Sequence, residues 1–255
     1  MTPTHAEITA ALRAAGCVFA EDEATILLDA AGDLDSLVAR RVAGEPLEVV
    51  VGWASFCGLR IEIDPGVFVP RRRTELLVHE AARLAPPGPV EVVDLCCGSG
   101  ALGVALASLL PSVSLTAADV EPAAVRCARR NVETVGGRVV EGDLDAPLPA
   151  ELRGRVDLLL ANVPYVPTDA IGTMPPEARL HEPLVTLDGG ADGLDVLRRV
   201  ATVAPRWLSP GGHLLVETSE AQVPAASAAF AASGLLPRVV RDEESGGTVV
   251  VGTRS

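Results

Sequence analysis

Asn162-Val163-Pro164-Tyr165 sets a side-chain amide, a backbone carbonyl and a phenol within four consecutive residues. Asn162 is one of only two asparagines in the 255-residue chain, and it ends the apolar run 156–161. A side-chain oxygen and a backbone carbonyl can together hold an NH₂ group so that its nitrogen faces an electrophile. Tyr165 can stack on the plane of an acceptor amide. An amide nitrogen is a poor nucleophile because its lone pair is delocalised, so orientation must supply several kcal/mol of the barrier. No strong base is needed if the proton leaves after group transfer. The same four residues also read as a plain turn with a capping asparagine and a packed tyrosine; the glycine loop upstream decides between the two.

That loop is Asp94-Leu95-Cys96-Cys97-Gly98-Ser99-Gly100, following an apolar run at 90–95. Gly98-Ser99-Gly100-Ala101-Leu102-Gly103 matches the G-x-G-x-x-G fingerprint of dinucleotide binders, and Asp119 stands about 20 residues on, as that fingerprint asks. An NAD-linked oxidoreductase therefore has to be weighed. Asp94 argues against it: a carboxylate at the strand end repels a pyrophosphate, whereas it attracts the ammonium of S-adenosyl-L-methionine. Asp119 after the second strand can bridge two ribose hydroxyls, and Asp143 with Leu144 after the third can grip an adenine edge and face. Each acid alone is explained as a helix cap or a solvated turn. Three acids at the carboxyl ends of consecutive strands, where α/β sheets bind ligands, are read together as a cofactor site.

The elements needed to place these residues follow from periodicity. Helices are expected from the Thr4–Glu7 capping box to Gly16, over Glu21–Ala31 and over about Asp35–Ala43. Leu59, Ile61 and Ile63 alternate with polar residues and predict a hairpin within Gly52–Val69; a helix then runs from Thr74 to about Leu84. After the linker Ala85-Pro86-Pro87-Gly88-Pro89, strands are expected at 90–95, 113–118, 138–141, 156–161, 213–217, 237–241 and 248–251, with helices at 101–110, 122–135, 192–207 and 220–233. This predicts an α/β fold: a doubly wound Rossmann-like sheet, closed by an antiparallel terminal hairpin and preceded by a small helical domain; with an S-adenosyl-L-methionine site at its strand ends, the sheet is expected to be of the class I methyltransferase kind. The expected division is residues 1–50 for the helical domain, 51–85 for the hairpin and connecting helix, and 86–255 for the cofactor-binding domain.

Composition narrows the class further. The chain carries 34 acids against 21 bases, every base an arginine, for a net charge of −13. That balance disfavours nucleic acid as a partner, because such binding relies on a cationic footprint. No apolar run approaches the roughly 20 residues of a bilayer span, and no signal peptide is readable, so a cytoplasmic protein is expected. The five cysteines are odd in number and lack metal-ligand spacing; they are expected to be reduced thiols, with no metal. The Cys96-Cys97 pair is expected to serve packing rather than redox chemistry.

The chain resembles, over nearly its whole length, the glutamine-amide methyltransferases that modify peptide-chain release factors, the HemK or PrmC family. The resemblance is carried by Arg40 to Leu47, Gly52 and Phe56, by Phe68-Val69-Pro70-Arg71-Arg72-Arg73-Thr74-Glu75, by Glu182-Pro183-Leu184, by Leu187 to Leu194, and by Pro210-Gly211-Gly212. It implies that Cys96, Cys97, Gly98, Ser99, Gly100, Asp119 and Leu144 contact S-adenosyl-L-methionine. It also implies that Asn162 to Tyr165 hold a glutamine presented by a protein substrate such as a release factor.

Three departures point to a paralogue. Val163 replaces the first proline of the family's Asn-Pro-Pro-Tyr, adding an N–H that needs a partner. Arg72 and Arg73 replace a proline and an acid, giving an arginine run expected to be a solvated helix entry or, alternatively, a reader of acidic substrate. Cys96-Cys97 stands where the family has glycine and a small residue. Two other functions remain open: N-methylation of a small-molecule or nucleic-acid amine, and a non-catalytic cofactor-binding partner.

Overall fold

A computed structural model describes residues 2–255. The first helices form as their caps dictate. Thr4 accepts from the Glu7 amide while Glu7 reaches back, opening α1 (His5–Ala14). Asp33 accepts from Ser36 to open α3 (Leu34–Val42), and α2 (Ala20–Asp29) lies between them. A fourth helix, α4 (Leu47–Val51), follows; its five residues are too few to show a period in sequence. These helices close on their own core of Ile8, Leu12, Leu27, Leu37 and Val50. The Arg41 guanidinium ties it together by donating to Glu23 (2.6 Å) and to the Glu45 carbonyl (3.0 Å).

The expected hairpin is β1 (Trp53–Phe56) and β2 (Leu59–Glu62), paired antiparallel, and the helix after it is α5 (Glu75–Leu84). Phe56, Ile61 and Leu77 share one buried cluster with Val92 of the main sheet and Leu106 of the helix over it, so hairpin and sheet are packed as one body.

That sheet has seven strands: β3 (Val90–Leu95), β4 (Val113–Asp119), β5 (Arg138–Glu141), β6 (Val156–Ala161), β7 (Leu208–Glu217), β8 (Leu235–Asp242) and β9 (Gly247–Arg254). Their order is β5-β4-β3-β6-β7-β9-β8. The first five run parallel, and β9 is antiparallel to both its neighbours. The last strand therefore enters the sheet, and β8 takes the edge. Central parallel strands are buried on both faces, which is why β3 and β6 read as continuous apolar runs. Val92 and Leu158 face one cluster; Val93 and Leu159 face the other. Helices α6 (Ala101–Leu109) and α7 (Pro122–Glu133) cover the first face, and α9 (Asp195–Trp207) and α10 (Val223–Ala232) the second.

Two stretches differ from expectation. Strand β7 begins at Leu208 rather than 213, running through Pro210-Gly211-Gly212 with a register shift against Val156 and Leu158. Residues 166–191, which show no apolar period, contain two 3₁₀ turns (Thr168–Thr173 and Leu184–Thr186) around a short helix α8 (Pro176–His181). Among the described residues no helix is long and apolar enough to cross a membrane. Strand order reverses between β3 and β6, and the crevice outside their carboxyl ends is where a ligand site is expected in such a sheet.

Candidate active site

A cavity of about 440 Å³ opens at that crevice. Cys96, Cys97, Gly98 and Ser99 line it from the glycine loop, Asp119, Asp143 and Leu144 from the next two strand ends, and Asn162, Val163, Pro164 and Tyr165 from the loop after β6. The two motifs singled out in sequence thus share one cavity.

The loop is tightly specified. Gly100 caps α6 at φ +79°, and a Cβ there would lie 2.7 Å from Val132 of α7. Cys96 is held at φ +54°, a region that favours glycine. Burial and the neighbouring carboxylates push the Cys96 and Cys97 thiols far up, so both stay protonated, which suits packing rather than reaction.

Asp119 lines the cavity from the end of β4. It accepts from the Gly98 amide (2.8 Å) and from the Glu121 amide (2.9 Å), one on each oxygen. Burial raises its pKa, and those amides oppose the rise. Asp94, expected to meet a ligand ammonium, does not line the cavity. It is fully buried beneath the loop, where one oxygen accepts from the Gly103 amide of α6 (3.0 Å) and the other has no partner. The side chain of this penultimate strand residue points into the β3–α6 packing, so Asp94 anchors the helix. Burial pushes it up to about 7. Gly100 likewise shapes the loop without lining the cavity. Asp143 accepts from Arg199 of α9 (2.6 Å), which lines the cavity beside it, and Leu144, at φ +49°, supplies an apolar wall.

The two asparagines separate cleanly. Asn131 of α7 is buried and satisfied: it donates to the Glu62 and Ser99 carbonyls (3.0 and 2.9 Å) and accepts from the Glu62 amide (2.9 Å). It staples hairpin to glycine loop. Among the described residues the Asn162 amide has no such partner, and it faces the cavity. Tyr165 is fixed by its hydroxyl, which donates to Glu217 (3.0 Å) and accepts from Arg73 (2.6 Å). Burial, reinforced by Glu217, pushes the phenol up to about 12, so Tyr165 acts as a neutral surface and not as a base.

Sequence reasoning missed what braces this acceptor loop. The chain's single glutamine, Gln222, donates to the Tyr165 and Asp192 carbonyls (both 2.9 Å) while its own oxygen accepts from Ser219 and Thr218 (2.7 and 3.1 Å). Segment 187–194 lies alongside: Val166 donates to the Leu187 carbonyl and accepts from Gly189, and Thr168 donates to Gly190. The rarity of glutamine in this composition was the one signal available.

Known proteins extend the picture. A family described as Methyltransferase small domain matches residues 58–174. Over 220 residues the chain is 40% identical to the release factor glutamine methyltransferase of Geobacter sulfurreducens, covering 86% of this chain and 76% of that one. The chain belongs to the release factor glutamine methyltransferase family. It is also 38% identical over 224 residues to the 4-amino-L-phenylalanine/4-methylamino-L-phenylalanine methyltransferase of Streptomyces pristinaespiralis, covering 80% of this chain and 76% of that one. A methyltransferase from Pyrococcus furiosus shares the fold at a TM-score of 0.58, with 16% identity, covering 85% of this chain and 97% of that one. The fold expectation holds, and the dinucleotide reading of the glycine loop falls away.

Within this methyltransferase the arginine run is not a solvated helix entry. Arg71 forms an ion pair with Glu182, and Arg73 donates to Glu217 (3.1 Å); both glutamates are 2% exposed at the side chain. Each glutamate keeps one oxygen without a partner. Only Arg72 faces solvent without such a pairing. Two buried acids, 111 and 144 residues away in sequence, account for two of the three arginines, and no local pattern could have shown it.

Proposed function

We propose that this methyltransferase uses S-adenosyl-L-methionine to methylate the side-chain amide nitrogen of a glutamine in a protein substrate, as its relatives' names describe for release factors. The observation that carries the reading is the Asn162 amide, free of partners among the described residues and set in the same cavity as the glycine loop and Asp119. The residues present fit that cofactor. Asp119 offers each oxygen's second lone pair to hydroxyl donors, Leu144 supplies an apolar face, and Cys96 to Ser99 form a close backbone wall. When bound, S-adenosyl-L-methionine supplies an electrophilic methyl group on a sulfonium.

The chain's own groups act by orientation. The Asn162 oxygen and the backbone carbonyl of the loop accept the two N–H bonds of the substrate amide, which turns its nitrogen lone pair toward the cofactor. The Tyr165 ring, held by Arg73 and Glu217, limits tilting of the amide plane. The proton leaves after transfer to solvent, since neither Tyr165 nor the buried thiols are bases near neutral pH. Asp94 supports this arrangement from beneath by holding α6, without touching the substrate.

A second acceptor class is favoured by a specific difference: Arg73 stands where the family has an acid, placing a guanidinium on the Tyr165 hydroxyl. An aromatic amine bearing a carboxylate, like the substrate named for the Streptomyces relative, suits that cation. The deciding experiment incubates the enzyme with methyl-labelled cofactor and recombinant release factors, and in parallel with 4-amino-L-phenylalanine. Label on a glutamine residue supports the protein reading; label on the free amino acid alone replaces it with the amine reading. Label on neither, with cofactor bound, leaves the non-catalytic function.

A further inference from the structure

The five cysteines were expected to be metal-free, and along the sequence none sits at ligand spacing. Folding brings one of them into a set. The Cys57 thiol, the Glu75 carboxylate and a His79 ring nitrogen lie within 4.8 Å of one another. None of the three lines the cavity.

The local structure presents all three for a reason. Cys57 and Gly58 form the two-residue turn of the β1–β2 hairpin, with φ +49° and +73°. The Cys57 amide, which this turn leaves without a ladder partner, donates to Glu75 Oε1 (2.8 Å), so one carboxylate oxygen fixes the turn and the other is free. Glu75 and His79 are four apart on α5 and share one helix face. His79 is exposed and can rotate its ring, while Cys57 and Glu75 are half-buried and held in place.

Distances and charge both suit a cation. Zinc takes sulfur at about 2.3 Å and nitrogen or oxygen at about 2.0–2.2 Å, so ligands on one tetrahedral ion stand roughly 3.5 Å apart. Rotation of the exposed His79 ring brings its nitrogen toward the other two. The Glu75 carboxylate beside the thiol supplies the negative charge that a cation needs.

We propose that Cys57, Glu75 and His79 form a binding site for a single zinc-class divalent cation, with water completing the coordination. Binding releases the Cys57 proton to solvent as the sulfur–metal bond forms, and no redox step is involved. The ion joins the hairpin turn to the first turn of α5. That turn directly follows Arg73 and Thr74, which line the cavity, so the bound cation rivets the start of the helix that comes straight after Arg73, the arginine that reaches Tyr165.

The test uses the full chain, reduced and stripped of metal, titrated with cobalt(II) alone. The expected result is one equivalent bound, with a thiolate-to-cobalt charge-transfer band that zinc displaces. Cys57→Ser abolishes the band, and His79→Ala, an exposed change that leaves the fold intact, weakens binding at least tenfold. Zinc raises the Tm of the unaltered chain and not that of His79→Ala. Absence of the band, or a band that survives Cys57→Ser or is as strongly held in His79→Ala, overturns the proposal.

Discussion

The Arg73 guanidinium donates to Glu217 (3.1 Å) and, through a second nitrogen, to the Tyr165 hydroxyl (2.6 Å), which itself donates to the same Glu217 oxygen (3.0 Å). One buried carboxylate oxygen therefore positions both the cation and the phenol. Arg73→Ala leaves Glu217 buried with its charge unmatched, a loss of about 1–3 kcal/mol for a group of this kind. Denaturant unfolding should show that loss, and Arg73→Ala combined with Glu217→Gln should recover part of it. The acceptor KM rises in Arg73→Ala, because the Tyr165 ring is no longer held, while cofactor affinity is unchanged. A single variant within about 0.5 kcal/mol of the unaltered enzyme, a range ordinary for surface positions, would show that the triad carries no stability.

Asn162 makes the opposite case, a side chain whose neighbours would not miss it. It anchors no protein group, so Asn162→Ala keeps the Tm of the unaltered enzyme. Transfer should fall by about 100-fold or more, the scale of a misoriented reactant. Calorimetric titration with the cofactor should give an affinity near that of the parent. Retained transfer would remove Asn162 from the acceptor site.

Much of this was legible in sequence, and the exceptions share a cause. Parallel strands buried on both faces announce themselves as apolar runs, so β3, β4, β5 and β6 fell where expected within a residue. The place of Asn162 and Asp119 at the cavity was legible because strand ends and glycine loops have local signatures. Asp94 was placed correctly in its strand and wrongly toward the ligand, since the face of the last strand residues depends on how α6 packs above them. Gln222, Glu182 and Glu217 act through contacts that cross 30 or more residues, and spacing carries no record of those. Cys57 and His79 are nearer in sequence, yet they too meet only once the hairpin packs on α5.

The buried Asp94 gives stability a pH signature. Its carboxyl sits at about 7 against an ordinary 3.8, so the native state holds a proton that the unfolded chain has released. The contribution is whole below about 4 and is lost as pH rises through about 7. Asp94→Asn keeps an acceptor for the Gly103 amide and cannot ionise. The unfolding free energy of the variant relative to the parent should therefore climb between about pH 4 and 7, at up to about 1.4 kcal/mol per pH unit, and level off above. A difference that stays flat across this range would show that Asp94 is ionised in the native state.

Gly193 tests whether segment 187–194 truly sets the acceptor loop. It adopts φ +76°, and a Cβ there would overlap the Tyr165 carbonyl oxygen and the Gln222 amide. Gly211, at φ +80° with open space around it, supplies the control. Gly211→Ala carries only the left-handed backbone cost, about 1–2 kcal/mol. Gly193→Ala carries that same cost and must also push the Tyr165 carbonyl off Gln222, breaking the bond that braces the loop. Its unfolding midpoint should drop further than that of Gly211→Ala, and its transfer rate should fall while the Gly211 variant's does not. Equal stability losses with unchanged transfer in both would mean that the acceptor loop is positioned without this segment.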